Sequence, residues 1–228
     1  MKSKMFFKIF TDILMILMLF LLMGYQFFGK NIHECIGIGI FFLFITHNIL
    51  NRKWYKNMFK YKNNTLYIMT LIVNSLLIVL ICAQIYSGVA MSSYIFSFLP
   101  TGNNMVLARR IHILGAYWGF ILISIHLGIH WNVISGTIKK AIRINKKLKR
   151  DKHINFIITL AVSMYGLKEF IDRNLMNYMF LKNEFVSFDY SEAKKIFYID
   201  YIAIMIFYIF VTYYMSKFIR EKNKKLKF

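Results

Sequence analysis

The sequence predicts an all-α fold: a polytopic membrane helical bundle of about six transmembrane helices, with both termini cytoplasmic. Three observations predict it. Of the 228 residues, 58% are hydrophobic, and the mean hydropathy is positive; a soluble domain this apolar would expose large sticky patches. Several apolar runs approach or exceed the roughly 20 residues that cross a hydrocarbon layer of about 30 Å. A single proline, Pro100, and few glycines leave long helices uninterrupted, and no alternating pattern of about ten residues suggests a membrane barrel.

The first span, about 9–28, follows Lys2, Lys4 and Lys8. That charged start is like a signal peptide's, but the run is long and has no A-x-A-like cleavage site, so a retained helix is expected. The second span, 33–50, contains "HECIGIGIFFLFITH", and the third covers 66–90. The fourth, 110–134, lies within the stretch opened by "RRIHILGAYWGFILISIHLGIHW". The fifth, 154–171, is the weakest, because Lys168 and Glu169 leave only about 14 clearly apolar residues. Without it the basic tail "KFIREKNKKLKF" would lie outside, against the charge rule, so it counts as a span. The sixth covers 196–216, and the connector "NEFVSFDYSEAKK" before it then faces outward. No internal repeat or boundary divides the chain, which reads as one membrane domain over 1–228.

The formal net charge of +20 would suit a nucleic-acid partner, but its distribution excludes one. With six spans, 22 of the 30 lysines and arginines fall on the cytoplasmic side, among them those of "NRKWYKNMFKYK" and "KKAIRINKKLKRDK". That is the positive-inside pattern, and such loops lie against the anionic headgroups of a lipid bilayer.

The histidines carry the chemistry. Five of the six lie in or at the ends of the second and fourth spans. His33 and His47 are 14 residues apart, and so are His112 and His126. In a helix, 14 residues fall about 40° short of four turns and rise ~21 Å. Each helix therefore shows two imidazoles on nearly one face, one towards each side of the membrane. The two helices run in the same direction, which levels His33 with His112 and His47 with His126. Imidazoles at matched heights on two helices form clamps for two non-covalent b-type haems, with these four histidines as the metal ligands. A single membrane histidine is often a packing residue, but a repeated spacing at matched depth is a much more specific signal, and intramembrane ionisable groups mark function. There is no C-x-x-C-H, so covalent c-type attachment is excluded, and Cys35 and Cys82 do not make a disulfide framework.

Neighbouring residues extend the pattern. Gly119 lies midway between His112 and His126, Gly115 and Gly128 flank these ligands, and Gly37 and Gly39 follow His33. All five suit the flank of a macrocycle or, alternatively, ordinary small-residue helix packing. Arg109 and Arg110 precede His112 and suit haem propionates; the alternative is that they snorkel to headgroups. His130, one turn after His126, is a rival ligand, a propionate partner or part of a quinone site. His153 lies in the basic loop and reads as solvated. The haem-binding core is thus 33–134, and 154–216 supplies two additional spans.

The segments "HECIGIGIFFLFITHNILNRKWY", "ARRIHILGAYWGFILISIHLGIHW" and "YMFLKNEFVSFDYSEA" resemble the flavinylation-associated cytochrome family of bacterial membrane proteins, over nearly the whole chain. The resemblance implies a location in the bacterial cytoplasmic membrane and transmembrane electron transfer to extracytoplasmic proteins that carry covalent FMN. It also implies haem ligation by His33, His47, His112 and His126, with His130 on the pattern. The flavin is expected on a partner. The nearest approach to an FMN-attachment motif, "NVISGTI", has Asn132 in place of the aspartate and Ile138 in place of the acceptor threonine.

The expected function is a di-haem electron-transfer subunit of an oxidoreductase system rather than a self-contained enzyme. Its donor is a quinol or a cytoplasmic reductase. The alternatives are a haem-free structural or assembly subunit and a proton-coupled transporter using the histidines and Asp200 as a relay.

Overall fold

A computed structural model describes residues 2–58, 64–99, 104–141 and 152–225. Every regular element among the described residues is a helix: α1 (Lys2–Met23), α2 (Tyr25–Leu50), α3 (Lys53–Asn57), α4 (Thr65–Ala90), α5 (Met105–Ala141), α6 (Lys152–Asp172), α7 (Leu175–Met179) and α8 (Lys194–Lys225). All except the short α3 and α7 are long and apolar enough to cross a membrane, six in number, and the weak fifth span is among them.

The expected first span runs five residues too far. α1 ends at Met23; at Gly24 the backbone leaves helical geometry (ψ 35°), and the glycine lies directly against the Tyr198 hydroxyl, where a Cβ would collide. α2 then begins at Tyr25 and is interrupted at Gly29, with φ 73° and ψ 178°. That backbone conformation is open essentially only to glycine. Regular helix resumes to place His33 just beyond the break and His47 in the last turn.

The chain folds as two compact units. The first comprises Met1–Lys62, Val79–Trp118 and Asn177–Tyr198. In it α1 and α2 form an antiparallel hairpin whose register is set by Lys8 with Asn51, Asp12 with His47 and Met18 with Gly39. The start of α5 is fixed to the segment after it in this unit: Trp118 Nε1 donates to the Met179 carbonyl at 2.8 Å, and Tyr117 stacks on Tyr178 at 4.8 Å.

The second unit comprises Asn63–Ile78, Gly119–Met176 and Ile199–Phe228. Val73, Leu77 and Ile129 form its buried apolar cluster, with Met69, Leu122, Ile123 and Ile125 against it. Two glycines let helices approach closely. A Cβ at Gly128 would come 2.9 Å from the Ile209 carbonyl oxygen on α8, and one at Gly166 would fall on the Ala203 backbone. Gly128 is therefore a helix-packing residue rather than part of a macrocycle's flank, because α8 fills the space beside it. α6 is also bonded to α8 by polar groups. Tyr165 donates to Asp200 Oδ1 at 2.5 Å, and Arg173 Nε donates to Asp200 Oδ2 at 3.2 Å. Lys168 pairs with Glu169 at 2.9 Å and Asp172 at 2.8 Å, so the charges that weaken this span compensate one another.

Candidate cofactor-ligating histidines

In the first unit α2 and α5 bring His33 and His112 together, with ring centroids 6.0 Å apart and planes at 64°. Two imidazole nitrogens bound to one metal at about 2 Å each put their ring centroids about 6 Å apart. The centroid separation of the pair is of that size.

The His112 ring is fixed from α4. Ser87 Oγ lies 3.2 Å from Nδ1 and donates its own proton to the Gln84 carbonyl at 3.0 Å. Ser87 can therefore only accept at the ring, so Nδ1 carries the proton and Nε2 the lone pair. The Gln84 amide nitrogen, 3.2 Å from Nε2, donates to that lone pair. The Gln84 side chain also fills the space beside Gly115, whereas a Cβ at Gly119 or Gly37 would meet no atom within 4 Å. His33 Nδ1 is buried with no hydrogen-bond partner among the described residues.

The neighbour of His33 has a different task. The Glu34 carboxylate accepts from Ser92 Oγ at 2.7 Å and from the backbone N–H groups of Ser93, Tyr94 and Ile95 at 3.0–3.1 Å. It clasps the turn after α4, in the same unit, to the residue beside His33.

The connector before α8 also reaches this place. Phe188 stacks on Tyr25 at 5.5 Å, and Tyr25 meets the His33 ring edge-on at 5.1 Å. Arg110 pairs with Glu184 at 2.5 Å, and the Arg109 guanidinium lies 4.8 Å from the Phe185 ring centre. Both arginines that suit propionates thus engage the connector. Asp189, further along it, has its pKa lowered by the Ser191 hydroxyl and amide.

His47 and His126 are each oriented within their own unit. His47 Nδ1 lies 2.7 Å from Asp12 Oδ1, and the Asn51 amide nitrogen is 3.4 Å from its Nε2. His126 Nδ1 lies 2.8 Å from Asn74 Oδ1, and the His130 ring is 4.7 Å from the His126 ring. Both oxygens accept, so Nε2 of each ring holds the lone pair. His153 is exposed.

No three His, Cys, Asp or Glu side chains among the described residues converge as a metal-ion site. A haem needs only two, since its own four nitrogens complete the equator. Compared with known proteins, the chain matches no family model, no curated protein and no solved structure.

Sequence reasoning missed Asp12, Asn74, Gln84, Ser87 and Glu34. A signal existed for two of them: Asn74 and Ser87 are 13 residues apart in an apolar span, nearly the histidine spacing.

Proposed function

We propose that this chain is a di-haem b-type cytochrome of a bacterial cytoplasmic membrane, with both termini cytoplasmic. It passes electrons from a quinol or cytoplasmic reductase to an extracytoplasmic protein carrying FMN. The observation that carries the proposal is the 6.0 Å separation of the His33 and His112 rings. The supporting one is that Nδ1 of His47, His112 and His126 each faces an oxygen acceptor, which leaves Nε2 as the ligating atom. The second haem is proposed on the repeated 14-residue spacing in the sequence alone.

When bound, the haems supply reversible one-electron chemistry. The chain's own residues hold the irons, fix the imidazole tautomers and surround the site with an apolar, low-dielectric shell that helps set the potentials. The connector is the docking face for the FMN-carrying partner, because Phe188 and Tyr25 lead from it to His33. A proton relay through Asp200 is disfavoured by its engagement with Arg173 and Tyr165.

The test is haem quantified per chain, with a reduced-minus-oxidised spectrum of purified protein. Two haems extractable by acidified organic solvent are expected. Colourless protein from haem-replete cells removes the proposal.

A further inference from the structure

Asp12 is the only carboxylate in the first 33 residues, and it lies in an apolar helix long enough to span a membrane. A charge there is costly without a specific purpose. The lysine one turn before it, Lys8, does not serve as its counter-ion but donates to Asn51 Oδ1 at 3.0 Å. The carboxylate instead meets His47 Nδ1 at 2.7 Å, the distance of a charge-assisted hydrogen bond. The other two oriented histidines have neutral partners, a serine hydroxyl at His112 and an asparagine amide at His126.

We infer that Asp12 is a positioning residue that, through His47, lowers the potential of the haem His47 binds. The inference rests on the haem reading above. Two effects act with the same sign. The carboxylate draws the Nδ1 proton towards itself, which raises electron density at Nε2 and makes it a stronger donor to iron. Its negative charge also favours the oxidised centre, which carries one more positive charge than the reduced one. The serine at His112 and the asparagine at His126 give only the orienting part of this interaction.

The test is a spectrally resolved redox titration of the purified, haem-loaded full chain. Asp12→Asn retains an oxygen acceptor and removes the charge. Its expected result is an upward shift in the midpoint of one component, the one that His47→Ala abolishes, with haem content unchanged. Asp12→Ser serves if the asparagine variant does not accumulate, and Asp12→Glu should stay close to the parent. Unmoved midpoints in the neutral variants, or equal shifts of both components, overturn the inference and leave the haem reading standing. Protein without haem overturns both.

Discussion

Asn74 Oδ1 accepts the Nδ1 proton of His126 at 2.8 Å, joining α4 to α5 within the second unit. That bond fixes the ring's tautomer and its rotation together. Replacing Asn74 with leucine removes the acceptor and leaves a polar N–H in an apolar setting. Losing a partner of this kind weakens metal binding by about 10–100-fold. Haem titration into haem-depleted Asn74→Leu protein should show that loss for one haem and spare the other. Equal, parent-like affinity for both would mean that His126 is not a ligand.

Gln84 predicts an opposite result. Its amide donates to the His112 lone pair that the proposed iron would require, so the two would compete. A neutral hydrogen bond is worth about 0.5–1.5 kcal/mol net. Gln84→Ala should therefore tighten haem uptake at the His33–His112 pair by roughly 2–10-fold, measured by the same titration. Weaker uptake would assign Gln84 a supporting part instead.

The Arg173–Asp200 pair predicts a stability effect without a spectral one. Asp200 is 3% exposed at its side chain and Arg173 20%, so removing one partner leaves a charge stranded. Such losses cost about 3–5 kcal/mol. Arg173→Met alone should lower the unfolding midpoint strongly, whereas Arg173→Met with Asp200→Leu should recover much of the loss. Both variants should retain haem spectra. If the single variant unfolds like the parent, the Arg173–Asp200 pair is not structural.

Access from the connector side gives the fourth prediction. Tyr190 and Phe185 are 79% and 67% exposed, and Phe188 leads inward through Tyr25 to His33. In oriented vesicles, a membrane-impermeant reductant on the connector side should first reduce the component that both His33→Ala and His112→Ala abolish. First reduction of the other component would reverse the proposed topology.

The helices were legible because each is a long apolar run, and that property depends on no neighbour. Their ends were not: the apolar run continues through Phe28, and the break at Gly24 leaves no mark in hydropathy. Equal 14-residue spacings on two helices read as parallel set His33 level with His112, and their rings lie 6.0 Å apart. Asp12, Asn74 and Ser87 are single polar residues in apolar helices, and only the fold gives them an orienting task. Gly128 shows the reverse error: its position beside His126 suggested room for a ligand, but α8 approaches at the same place.

The register of the α1–α2 hairpin also bears on biogenesis. Lys8 and Asn51, then Asp12 and His47, meet only when the two helices lie side by side in opposite directions. A carboxylate costs roughly 2.5–3.5 kcal/mol at the centre of a lone helix on insertion scales, and less towards an end, where Asp12 lies against the last turn of α2. A translocon releasing α1 alone would hand that cost to the lipid. Release of the hairpin as one body lets Asp12 enter already bonded to His47, with Gly24 and Gly29 at the bend. In a membrane, the Asp12–His47 bond would thereby also favour pairwise insertion of the first two helices.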